Sequence, residues 1–296
     1  MTSGSVGSVL SQGAAAKPPP LSGRSTLTGE WRWLGFDPAG LLGLILLIII
    51  WWALAQVTPT HSLPQPLAVA RRIASDFFGA PELAFYGLPD TGLLDSMLYT
   101  GSNVLIAVAI GAVFGTVGGL LTSRFEMIRR VVDPILMTAG TIPILVLAPF
   151  FLIWFGVGRA SALVLVIIYV GVILYIFAQR AADNLDPAYE DYAFTLGATR
   201  QRVVWDILIP ATVPQILGGI RIALAGAWGL EAIAELLGAQ YGIGKIVQVL
   251  AGTTDVEGIF ACLAVLGIVA VVFDGLAALV ISLIASWSVA ARPGEG

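Results

Sequence analysis

The sequence predicts an all-α integral membrane protein with six transmembrane helices, and three observations carry that prediction. Of the 296 residues 57% are hydrophobic and only 11% are charged, whereas soluble domains carry roughly one-quarter charged residues. Mean hydropathy is +0.91. The apolar residues are gathered in runs of about the ~20 residues that an α-helix needs to cross ~30 Å of hydrocarbon. The chain holds about half a dozen such runs with modest loops, so one membrane domain is expected and no separate soluble enzyme.

Residues 1–37, rich in Gly, Ser, Ala and Pro and including Lys17-Pro18-Pro19-Pro20, have no periodic apolar pattern and read as a disordered tail. Residues 38–290 read as the membrane domain. The first span is Leu41 to Val57. Its Ala53-Leu54-Ala55 imitates a signal-peptide cleavage site, but the polar region before it is too long and the apolar stretch exceeds the ~7–15 residues of a signal core, so an uncleaved span is expected. A polar connection, 58–96, contains Pro59, Pro64, Pro66, Pro81 and Pro89. Within it Leu67 to Phe78 places Leu67, Ala70, Ile73, Ala74 and Phe77 opposite Arg71, Arg72, Ser75 and Asp76, the pattern of an interfacial helix. The second span is Met97 to Thr122, followed by the basic link Arg124, Arg129 and Arg130. The third runs from Ile135 to Phe155, where Pro143 and Pro149 remove intrahelical hydrogen bonds and bend the helix. The fourth is Ser161 to Phe177, the fifth Ile216 to Leu237 and the sixth Ile259 to Ile284.

Basic residues orient the spans. With the N-terminus and residues 1–37 in the cytoplasm, all but Arg71, Arg72, Arg159 and Lys245 of the fifteen Lys and Arg fall on the inner side. This assignment also places residues 182–214 in the cytoplasm. That loop is polar and broken by glycine. Asp186-Pro187 supplies a cap and a first-turn proline for a short helix running to Leu196. Gly197 supplies a left-handed residue to end it, and a second short helix leads from Ala198 to Pro210.

The loop spacing is an acid and Ala, Asp191-Tyr192-Ala193, then Leu196-Gly197-Ala198, then Ile207, Ile209 and Pro210. It resembles the EAA loop of membrane subunits of ATP-binding-cassette (ABC) importers. Trp154-Phe155-Gly156-Val157-Gly158, Ile209-Pro210-Ala211 with Pro214, Gly219-Ile220-Arg221, Trp228 with Glu235, and Gly242-Ile243-Gly244 are similar to the permeases of nitrate, sulfonate and taurine importers. Phe114-Gly115 with Gly119, and Asp274, fit the same pattern, and the resemblance covers about residues 60–290. Two positions depart from it: Asp191-Tyr192 stands where the family usually shows Glu-Ala, and Asn103 where an arginine is common.

The resemblance implies a type I ABC importer permease fold in a bacterial inner membrane. It further implies a homodimer, two copies of an ABC ATPase subunit, and an extracytoplasmic substrate-binding protein that delivers cargo. The 182–214 loop would then be the coupling element that seats on the ATPase and relays its closure to the spans, which work by alternating access. Read by composition alone, the loop is equally an ordinary amphipathic segment of a channel or secondary transporter. The implied cargo is a small anion such as a sulfonate, nitrate or taurine-like solute. An extra acid, Glu231, argues for a neutral or cationic solute such as a vitamin precursor. The alternative of another class is a self-sufficient secondary transporter, which paired broken helices in inverted repeats would favour.

Within the fifth span Arg221, Trp228, Glu231 and Glu235 fall in an arc of about 80°. A charge in the bilayer costs at least ~2.5–3.5 kcal/mol on insertion scales and so faces protein or a pathway. The stripe therefore lines a route for cargo, or Arg221 and Glu235 reach water at opposite ends with only Glu231 buried. Gly111, Gly115 and Gly119 recur every four residues and permit close packing between spans of one chain. Gly238 to Lys245 imitates a phosphate loop, but its first glycine is misplaced and Ile246 replaces the required Ser or Thr, so no nucleotide site is expected. His61 reads as a solvated loop residue, and Cys262, the lone cysteine, excludes a disulfide framework. No residue set points to catalysis, a metal, a cofactor or nucleic acid.

The topology is testable in a Cys262→Ser background. Cysteine at Ala84 should label with an impermeant thiol reagent from outside intact cells, and cysteine at Thr195 should not.

Overall fold

Helices account for most of the described residues in the computed structural model, which describes residues 38–88 and 92–284; the expected tail, 1–37, lies outside the described residues. The chain divides into two units, residues 1–50 and 51–296. In the first, residues 40–50 of helix α1 (Pro38–Val57) are exposed throughout and almost wholly apolar, as suits a helix solvated by lipid. In the second, the end of α1 is fixed by the Trp51 indole, which donates to the Pro64 carbonyl at 3.1 Å and lies 5.9 Å from the Phe260 ring.

The remaining helices are α2 (Pro66–Asp76), α3 (Pro81–Phe85), α4 (Leu93–Arg124), α5 (Glu126–Thr141), α6 (Ala148–Phe155), α7 (Arg159–Asp183), α8 (Pro187–Thr195), α9 (Arg200–Val203), α10 (Ile209–Gly238), α11 (Ile243–Gly252) and α12 (Val256–Ile284). Among the described residues five helical stretches are long and apolar enough to cross a membrane, and six if α5 and the stretch Ile144–Phe155, which ends in α6, count as one span. The second, fourth and sixth spans appear where expected, each longer by several residues.

The third span departs from expectation. It is a pair of helices meeting at 91°, and its first half begins at Glu126 instead of Ile135. Ile142, ahead of Pro143, is extended (φ −82°, ψ 122°), as the residue before a proline tends to be. The chain therefore turns at Pro143, while Pro149 sits harmlessly in the first turn of α6. The fifth span also differs, because the loop helix α9 does not stop before it. A five-residue π segment, Val204–Leu208, joins α9 to α10, so one helical path of 39 residues runs from Arg200 to Gly238. Pro210 lies in the first turn of α10, just beyond the widened π turn, and starts the span instead of separating it from the loop.

The inward face of α2 coincides only in part with the one its apolar residues suggested: Ile73 packs against the core and Phe77 is half-buried, but the rest of that face is exposed. Leu67 and Ala70 are exposed, Val69 is buried, and Arg72 is held by Asp76 at 2.6 Å and Asp255 at 3.3 Å. Arg72 thereby ties α2 to the start of α12.

The core is α4 laid along α7, with α10 across both. Glycine sets the separation: a Cβ on Gly115 would stand 2.4 Å from the Gly171 carbonyl oxygen, and one on Gly119 2.4 Å from that of Tyr175. The Gly111, Gly115 and Gly119 ladder is thus intramolecular packing, as expected. Gly115→Val should drive α4 from α7 and lower stability by about 1–3 kcal/mol or more, whereas Gly229→Ala, which meets nothing within 4 Å, should be neutral. Thermal unfolding of the detergent-solubilised variants compares the two.

Candidate functional site

The loop between α7 and α10 is built as its sequence dictates. Asp186 accepts a hydrogen bond from the Ala188 N–H at 2.9 Å and Pro187 opens α8. Gly197 takes φ +82°, and Gly197 and Ala198 donate to the Phe194 and Ala193 carbonyls, both at 2.9 Å, closing the helix. Thr199 then caps α9 by accepting from the Arg202 N–H at 3.4 Å, a cap the sequence reading did not single out.

Of the loop residues expected to matter, Asp191, Tyr192, Leu196, Gly197 and Pro210 are exposed, while Ala193, Ala198 and Ile207 are half-buried. The exposure is costly: Tyr192 is 71%, Leu196 88% and Trp205 64% accessible, and Tyr189 and Phe194 are exposed beside them. Tyr189, Tyr192 and Leu196, at i, i+3 and i+7, share one face of the loop helix, and apolar residues gathered and exposed in this way mark an interaction site. A groove of 660 Å³ lies behind it, bordered by Phe125, Phe194, Arg200 and Trp205.

An ion pair that sequence reading missed holds the loop in place. Arg124, at the end of α4, grips Glu190 of α8 with two parallel bonds of 2.6 and 3.0 Å. The Arg124 guanidinium holds the Glu190 carboxyl below the usual carboxylate range. No local pattern announces a pair 66 residues apart. Beside it, Arg129 reaches Asp183 at 2.8 Å and Asp133 at 3.2 Å, and Tyr175 and Gln179 also donate to Asp133.

The four-residue stripe of α10 is divided. Arg221 pairs with Asp274 of α12 at 2.6 and 3.0 Å, with both side chains partly exposed. Trp228, Glu231 and Glu235 are fully buried within the chain. Glu235 therefore does not reach water at a helix end, contrary to the second of the two readings of the stripe. Glu231 accepts from the Asn103 amide at 2.8 Å, and Asn103 in turn accepts from Arg159 at 2.6 Å. Glu235 accepts from the Thr100 hydroxyl at 2.9 Å and from the Gly244 N–H at 3.0 Å. Trp228 packs against Gly101 and the Phe273 ring. Among the described residues no group of three or more His, Cys, Asp or Glu forms a metal site.

Comparison with known proteins follows the same lines. The family described as binding-protein-dependent transport system inner membrane component matches residues 93–290. The taurine transport system permease protein TauC of Escherichia coli is 28% identical over 84% of this chain and 90% of its own length. The formylaminopyrimidine transport permease protein ThiX of Halalkalibacterium halodurans is also 28% identical, over 78% and 88%. The putative aliphatic sulfonates transport permease protein SsuC of Bacillus subtilis is 23% identical over 84% and 87%. Among solved structures, a chain of the MetNI methionine ABC transporter in inward-facing conformations superposes with a TM-score of 0.58 at 20% identity, covering 65% of this chain and 96% of that one. This likeness shows a shared fold.

Because Glu190 has a lowered pKa, its contribution to stability is fully present above the unfolded value of about 4.3 and is lost as pH falls through the folded one. Attachment of α8 to α4 should thus be unchanged across roughly pH 5 to 8. Glu190→Gln should weaken it by about 1 kcal/mol, seen as faster amide exchange in residues 187–195.

Proposed function

Since the chain belongs to the family of binding-protein-dependent transport system inner membrane components, we propose that it forms the membrane path of an importer whose energy comes from a partner ATPase. It is a multi-pass inner-membrane permease of the ABC importer class, and not an enzyme. The partners proposed are two ABC ATPase subunits, a second copy of this chain and an extracytoplasmic substrate-binding protein.

One observation carries the ATPase docking: the exposed Tyr192, Leu196 and Trp205 sit on a helix–turn–helix that is fastened to α4 by Arg124 and Glu190 and runs unbroken into α10. Apolar groups so exposed are stabilised by a partner's surface. The proposed contact comprises Asp191, Tyr192, Ala193, Leu196, Gly197 and Ala198, with Ile207 and Pro210 leading into the span. ATP-driven closure of the two ATPases draws the two loops together and reopens the spans outward.

The proposed cargo is a small sulfonate or similar anion, by similarity to TauC and SsuC. The argument for a neutral or cationic solute from Glu231 weakens, because that carboxylate is buried and hydrogen-bonded inside the chain. For the same reason Trp228, Glu231 and Glu235 are proposed to shape the pathway by holding α4 and α11, with Arg221 the stripe residue nearest to open surface. A secondary transporter is not favoured: among the described residues only one broken helix pair occurs, α5 with α6.

Two experiments test this reading. In proteoliposomes containing the permease, ATPase and binding protein, ATP should drive taurine uptake that nitrate or another sulfonate competes with and riboflavin does not; the reverse pattern would assign the cargo to the vitamin class. Gly197→Val meets no neighbour within 4 Å but forces a β-branched residue to φ +82°. It should leave insertion intact and cut coupled uptake at least about ten-fold, the equivalent of ~1.4 kcal/mol. Wild-type uptake by this variant in stoichiometric complex would remove the coupling role.

A further inference from the structure

The segment that imitates a phosphate loop holds a carboxylate. After α10 the chain turns through residues 239–242, with Gly242 at φ +103°, and α11 begins at Ile243. A Cβ on Gly242 would lie 2.3 Å from the Glu235 carboxyl carbon, and one on Gly244 2.0 Å from the Ala232 carbonyl oxygen. Only glycine lets the turn close on α10 so tightly. The first two N–H groups of α11 have no partner within the helix. That of Gly244 donates to Glu235, and that of Ile243 donates to the Thr100 hydroxyl at 3.0 Å. Thr100 itself donates to Glu235. Three helices, α4, α10 and α11, therefore meet at one fully buried carboxylate.

The place of this junction gives it meaning. α11 has ten residues, too few to cross a bilayer. It packs by Ile243, Ile246 and Leu250, all buried. At the other end of the 39-residue path, about 58 Å away at 1.5 Å per residue, lies the loop proposed to meet the ATPase. We propose that Glu235 is a positioning residue that makes α11 follow α10: with Thr100 it clasps the start of α11, so that displacement entering at the loop is delivered to α11 at the far end. This rests on the importer reading for the source of the displacement, but the clasp itself does not. The role belongs to hydrogen bonding and not to negative charge. A glutamine at 235 keeps it, because its carbonyl accepts from Gly244 and its amide donates to the Thr100 oxygen.

The test compares Glu235→Ala with Glu235→Gln, each carrying Ile246→Cys in the Cys262→Ser background. Ile246 is buried, so cysteine there should resist an impermeant thiol reagent in the parent and in Glu235→Gln, and label readily in Glu235→Ala. In proteoliposomes with the ATPase and binding protein, Glu235→Ala should retain ATP hydrolysis while uptake falls about ten-fold or more, the scale of losing a buried bond pair. Glu235→Gln should keep both. Glutamine as defective as alanine would overturn the proposal, as would continued protection of position 246 in Glu235→Ala. If Glu235→Ala fails to insert, Thr100→Val and Thr100→Ser give the same comparison, serine being the retained clasp. The thiol arm needs neither ATPase nor cargo, so failure of the importer reading would show as absent uptake in the parent with the labelling pattern intact.

Discussion

A polar group inside hydrocarbon has only the protein to bond with, and the arrangement of the long helices depends on how this chain meets that constraint for two carboxylates. Glu231 and Glu235 lie one turn apart on α10, both out of reach of solvent. Their nearest bonding partners are neutral: the Asn103 amide, the Thr100 hydroxyl and the Gly244 N–H. Charge enters one step removed, where Arg159 at the start of α7 donates to Asn103 and Ser102 and lies over the Tyr99 ring. The glycine ladder of α4 is what brings α7 near enough for that reach. Close packing through small residues and the bonding of Glu235 and of one Glu231 oxygen thus go together, while the second Glu231 oxygen has no partner within the chain.

The same seam bears on a departure from the family pattern. Asn103 stands where the resemblance leads one to expect arginine, and here it relays between the Glu231 carboxylate and Arg159. A guanidinium is still supplied to this neighbourhood, from α7 instead of α4, with a short amide as the link.

What the sequence made legible was local. The Asp186 cap, the left-handed Gly197 and the close packing of Gly111, Gly115 and Gly119 are properties of a few neighbouring residues, and each was found as read. The spans were legible because hydropathy acts residue by residue. What escaped depended on partners distant in the chain: Arg124 with Glu190, Arg72 with Asp255, and Glu235 with Thr100. Of the stripe on α10, Trp228, Glu231 and Glu235 are buried together while Arg221 is partly exposed, because which neighbour covers each part of a face is a property of helix packing, invisible to periodicity. The break at Pro143 was foreseen as a bend and is a right-angled turn of 91°, because proline chemistry marks where a helix yields and not how far.

The π segment Val204–Leu208 has a geometric consequence of its own. A π turn carries one residue more than the α turn it replaces, and each residue of an α-helix advances the azimuth by about 100°. The segment therefore sets the rotational phase of everything before it against the span that follows. Winding the same residues as ordinary α-helix would swing α9, with the loop ahead of it, by about that angle around the axis of α10. The helical path would remain, and its apolar loop face would point elsewhere. The direction in which this protein presents Trp205 is in that sense written as a count of residues.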